Sequence, residues 1–73
     1  MKGLSFNEQK EYNRLEKEIA TLEEKKAAIE AAFATGNLTP DEIQSQSVAL
    51  QETLMFIEEN TERWFELTEK LTN

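Results

Sequence analysis

The sequence predicts an all-α fold, two long helices forming an antiparallel coiled-coil hairpin. Three observations lead there. Apolar residues recur at heptad spacing on both sides of the middle of the chain. The single proline and one of the two glycines fall together in a central stretch, FATGNLTPDEI, from Phe33 to Ile43. The arms on either side of that stretch are rich in Glu, Lys, Ala and Leu, the strong helix formers.

The central stretch ends one helix and begins another. Gly36 is the natural left-handed residue just past a helix C-terminus, where a Cβ would clash. Thr39, Pro40 and Glu42 read as an N-cap, a first-turn proline and a capping-box acid, with Leu38 and Ile43 at the staple positions around the cap. A short link of this kind makes two long helices antiparallel neighbours. The expected organisation is a single domain: a lead-in over residues 1–5 from an upstream region, a first helix over 6–35, a turn over 36–39 and a second helix over 40–71.

The first helix opens on another capping box, Ser5 with Glu8. Its seam is Tyr12, Ile19, Lys26 and Phe33 in one row and Leu15, Leu22 and Ile29 in the other. Lys26 is the breach, read as a register device whose stem packs while its ammonium reaches water. The second helix offers Ile43, Leu50, Ile57, Trp64 and Leu71, alternating with Ser47, Leu54, Thr61 and Thr68. Folding the arms about the turn sets Tyr12 against Trp64 near the open end and Phe33 against Ile43 near the turn. The pairs Glu59–Arg63, Glu66–Lys70 and Lys26–Glu30 are expected along the helices at i,i+4 spacing.

Composition excludes most chemistry. With no Cys and no His, thiol catalysis, zinc–thiolate sites and the commonest general base are all missing. There is no Gly-rich phosphate loop and no nucleophile beside a base. The paired acids Glu23–Glu24 and Glu58–Glu59 point about 100° apart on a helix, so they read as solvated faces and not as metal ligands. No cofactor, metal or catalytic residue is therefore expected in this domain. Asn37-Leu38-Thr39 matches a glycosylation acceptor but is read as a turn. The N-terminus lacks a signal-peptide core and no segment is apolar enough to span a bilayer, so a cytoplasmic protein without membrane contact is the expectation.

Charge is uneven within a net −7. The lead-in and first helix carry six bases against seven acids, and the second helix two against eight. Lys10, Arg14 and Lys17, at i, i+4 and i+7, form an outward basic stripe. It reads either as a phosphate-binding face or as a solvated face paired through Arg14–Glu18 and Glu11–Arg14. Val48, Met55 and Phe56 fall off the seam. They read either as a strip for docking another domain or a second copy, or as a widened core. Phe6 and Phe65 also lie off the seam, near the open end.

The two ends carry a resemblance. Gly3-Leu4-Ser5-Phe6, Glu8-Gln9-Lys10-Glu11-Tyr12 and Glu62-Arg63-Trp64-Phe65-Glu66-Leu67 resemble the C-terminal domain of Uup-type ABC-F ATPases. That domain opens on Lys-Leu-Ser-Tyr/Phe and an acid-Gln-basic-Glu run, and closes on Arg-Trp-x-x-Leu. Gly3 stands where the family usually has Lys, and the second helix is more acidic than a DNA-binding surface wants. The resemblance implies a parent with two ATP-binding cassettes, which bind ATP and hydrolyse it, and a non-catalytic C-terminal hairpin that contacts those cassettes. It further implies a ribosome-associated or DNA-binding role, with DNA or ribosomal RNA as partner and Lys10, Arg14 and Lys17 as the contacts. The alternative is a protein-interaction or dimerisation coiled coil, through Val48, Met55 and Phe56, with no nucleic-acid contact.

Overall fold

Local sequence accounts for both helix starts. In the computed structural model, which describes residues 3–72, helix α1 spans Phe6–Thr35 and helix α2 spans Pro40–Thr72. Met1 and Lys2 of the lead-in, and Asn73, lie outside the described residues. At the head of α1 the Glu8 amide donates to Ser5 Oγ and the Ser5 amide donates to Glu8 Oε1, at 3.2 and 3.0 Å. Thr39 and Glu42 repeat the exchange ahead of α2, at 2.9 and 3.2 Å. Each box satisfies two backbone donors that the first helical turn leaves unpaired. Gly36 closes α1 at φ 70°, its amide donating to the Phe33 carbonyl. Nothing lies near the place its Cβ would occupy, so the backbone conformation alone asks for glycine.

The four-residue link turns α2 back along α1, in a rod 55 Å long and 17 by 14 Å across. From the mouth inward the cross-helix partners climb α1 and descend α2 overall, from Glu8 with Lys70, through Glu11 with Arg63 and Tyr12 with Trp64 at one level, to Glu18 with Asn60. This is the expected antiparallel hairpin.

The seam of α1 follows its heptad. Leu15 and Ile29 are buried, and Tyr12, Ile19, Leu22, Lys26 and Phe33 are half-buried. On α2 one row also follows, with Leu50, Ile57 and Trp64 turned inward, although Ile43 and Leu71 at its ends stay exposed. The other row is shifted by one residue. Gln46, Thr53, Asn60 and Leu67 take the inner positions, Ser47 is exposed, and Leu54 keeps 43% of its surface in water while Leu67 keeps 0%. Thr61 and Thr68 remain half-buried at the edge.

The physical reason is that the two rows are nearly equal in apolar content, each holding one leucine. Hydroxyl chemistry and cross-helix pairing then decide. Thr53 is buried without penalty because its Oγ1 donates to the Ala49 carbonyl at 2.7 Å within its own helix. The shifted register also brings Asn60 Nδ2 to Glu18 and Arg63 to Glu11.

The open end is the best-held part. Tyr12 and Trp64 stack at 5.9 Å between centroids with planes 20° apart, inside the favoured range for offset aromatic pairs. Arg63 meets Glu11 with both prongs, Nε at 2.8 Å and Nη2 at 2.9 Å, and reaches Glu66 with Nη1 at 3.0 Å. Lys70 pairs with Glu8. Arg63 and Lys70 therefore bridge the helices, where i,i+4 pairs with Glu59 and Glu66 were expected. No Lys26–Glu30 pair is seen among the described residues. Trp64 Nε1 is buried with no acceptor among the described residues, a cost of about 1–3 kcal/mol that the stack and the forked ion pair surround.

The hydrogen bond from Lys70, then that from the Ser5 backbone, holds the Glu8 carboxyl at about 2, well below its ordinary 4.5. The hydrogen bond from Arg63 lowers Glu11 as well. A carboxylate with a depressed pKa stabilises the fold above the unfolded value, and that contribution is lost as pH falls toward the folded value.

Two outcomes follow. In urea melts followed by far-UV circular dichroism, Leu67→Ala costs about 2–5 kcal/mol, as a fully buried leucine does, whereas Leu54→Ala costs well under half as much. The reverse order would restore the unshifted row. In acid titrations the melting temperature falls as pH drops from about 4.5 toward 2, and Glu8→Gln flattens part of that fall.

Candidate nucleic-acid interface

Helical pitch sets Lys10, Arg14 and Lys17 on one face of α1, spanning roughly 10 Å along the axis. That is the axial rise of about three nucleotides on one strand. All three are exposed. Lys10 Nζ stands 4.9 Å over the ring of Phe6, a cation–π contact that leaves the ammonium open to water. Arg14 is held by Glu18 at 3.6 Å, a solvated i,i+4 pair worth a few tenths of a kcal/mol. The expected Glu11–Arg14 pair gives way to Glu11–Arg63. Lys17 has no ion-pair partner among the described residues.

The groove beside Lys17 is shared with α2. Lys17, Glu18, Thr21, Leu22, Phe56 and Asn60 line a shallow apolar depression of ≈ 380 Å³. A second depression, lined by Asn7, Lys10, Glu11 and Arg14, continues the same face toward the open end. Lys17 thus borders a depression shared by both helices, while Lys10 and Arg14 border a separate one on α1 alone. Arg63 and Lys70 meet α1 residues of this region, but each is tied to glutamates and brings little free charge. Three bases remain available to an outside anion.

Of the Val48, Met55 and Phe56 set, Val48 and Met55, seven residues apart, share a face of α2, and Phe56 is turned about 100° away from it. Phe56 lies in the depression beside Lys17, Val48 stands near Asp41, Gln44 and Ser45, and Met55 points outward. The adjacency of Phe56 to Lys17 was invisible in the sequence, because the two belong to different helices and meet only through the register. Among the described residues no set of three Asp or Glu gathers to hold a metal ion, and no helix is long and apolar enough to cross a membrane.

A family profile described as the ABC transporter C-terminal domain matches residues 3–69. The chain belongs to this family. The match agrees with the resemblance to Uup-type ABC-F proteins drawn from the end motifs, and it covers both helices and the turn. Neither a curated protein nor a solved structure matches the chain.

The residues that carry the family resemblance clamp the hairpin's mouth. Ser5 and Glu8 cap α1, Glu11 and Tyr12 receive Arg63 and Trp64, and Leu67 is the most deeply buried side chain. Lys10 belongs to the opening end motif yet takes no part in the clamp, its ammonium lying over Phe6 on the exposed face.

Proposed function

We propose that this domain is the non-catalytic accessory hairpin of a cytoplasmic ABC-F ATPase and that it binds nucleic acid, DNA or ribosomal RNA, through Lys10, Arg14 and Lys17. The observation that carries the reading is three exposed bases on one face of α1, only Arg14 among them in an ion pair among the described residues and that a solvated one, in a chain whose net charge is −7. Phosphates would sit along the stripe. Phe56 and Asn60, which share the depression with Lys17, offer an aromatic face and an amide to whatever base turns inward. ATP binding and hydrolysis belong, in this reading, to the parent's cassettes. The hairpin supplies a rigid arm about 50 Å long that sets how far from those cassettes the contact is made.

A second reading is protein docking without nucleic acid, and one observation favours it. Of the large apolar side chains left exposed among the described residues, all but Phe6 are on α2, including Val48, Met55 and Phe56. Sedimentation across a concentration series separates this reading from the first. Self-association abolished by Phe56→Glu supports docking, and a monomer at every concentration removes its dimer form.

The nucleic-acid reading is tested by fluorescence anisotropy with duplex DNA and structured ribosomal RNA across a salt series. Three phosphate contacts on duplex DNA give a log–log salt slope near about −2.7. Replacing Lys10, Arg14 and Lys17 by Glu abolishes binding while the circular dichroism is retained. No binding at low salt, or binding indifferent to the triple replacement, would sink it.

A further inference from the structure

On the flank of α2 away from the basic stripe lies a groove that differs in kind. It is lined by Leu54, Ile57, Glu58, Thr61, Glu62 and Phe65, has a volume of ≈ 370 Å³, and holds no base. Residues 54 and 65 are eleven apart, which on a helix falls within about 20° of a straight row. Ile43 extends the same row by another eleven toward the turn. Ile43, Leu54 and Phe65 keep 45%, 43% and 57% of their surface in water, and between Leu54 and Phe65 the half-buried Ile57 joins them across the depression. The row shift described above exposes it, because turning Leu67 inward turns Leu54 out. Phe65 is held in place by an edge contact with Trp64 at 6.3 Å.

We propose that this groove is a docking site for an amphipathic helix of a partner protein, with apolar anchors at helical spacing bordered by Lys or Arg. The depression lies on one face of α2 alone, so the partner helix packs alongside α2 as a further helix of the bundle, and Leu54 and Phe65 stand about 16 Å apart along the axis, a span that i, i+4, i+7 and i+11 anchors cover. Charge selects the sign of the partner. Glu58 and Glu62 line the groove, while the two bases of α2, Arg63 and Lys70, are drawn to Glu11 and Glu8 on α1. A second copy packing groove to groove about a two-fold axis sets Glu58 and Glu62 against their own equivalents, which disfavours it. Nucleic acid is repelled by the same acids. The partner thus differs in class and position from that of the proposed phosphate-binding face, and either site can fail without the other.

The probe is a synthetic helical peptide of Leu, Ala and Lys, Leu on one face and Lys along its borders, compared with the same peptide carrying Glu for Lys. The 73-residue chain is titrated with each while amide chemical shifts and peptide anisotropy are followed. The Lys peptide binds and moves the amides of Leu54, Thr61 and Phe65, and the Glu peptide does not bind. Leu54→Gln weakens binding at least about tenfold, as does Glu58→Lys with Glu62→Lys. Glu52→Lys with Glu59→Lys makes the same change in net charge on exposed positions outside the groove and leaves affinity within about twofold. Equal weakening by the two double replacements reduces the effect to net charge and overturns the proposal. So do shifts centred on Lys17 and Phe56, or sedimentation showing a dimer that Leu54→Gln disrupts.

Discussion

The forked contact of Arg63 on Glu11, laid beside the stacked Tyr12 and Trp64, is the constraint on which the hairpin depends. Two helices alone enclose a thin core, and here only Leu15, Ile29 and Leu67 among the apolar described residues are fully buried. At the turn the chain connection holds the helices together. At the other end nothing covalent does, so side chains must supply the closure. An aromatic stack supplies area, a forked ion pair supplies a fixed angle, and Leu67 fills the space beneath. Because these contacts join residues some fifty apart in sequence, they also set the register for everything between.

Closure at the mouth partitions the charge. Arg63 and Lys70 are spent on Glu11 and Glu8, so α2 presents its remaining surface as nearly unrelieved carboxylate with apolar residues among it. On α1 the bases Lys10, Arg14 and Lys17 stay outside the clamp. The result is a rod with two unlike flanks, one carrying the exposed bases of α1, the other exposed apolar residues of α2 bordered by Glu58 and Glu62.

The polar seam of α2 follows from the same economy of core. Thr53 lies inward and Thr68 at the edge of the seam, each with its hydroxyl bonded to the carbonyl one turn back, so neither leaves a polar group unsatisfied. The large apolar side chains the seam does not use, Leu54, Phe56 and Phe65, are consequently left on the two flanks, where recognition can use them.

The sequence by itself determined the two helices, their caps, the turn at Gly36 and Pro40, the seam of α1 and the meeting of Tyr12 with Trp64. These rest on local backbone chemistry and on a strong apolar period, which any antiparallel closure must obey. It also placed Lys10, Arg14 and Lys17 on one face, since helical pitch alone decides that. Only the tertiary structure decided which row of α2 turns inward, because Leu54 and Leu67 make the two rows nearly equal and pairing with Glu11 and Glu18 breaks the tie. From that one-residue choice came the neighbours of Lys17, the commitment of Arg63 and the exposure of Ile43, Leu54 and Phe65. Each is a relation between helices or a consequence of one, and a periodicity read along a single helix carries no information about it.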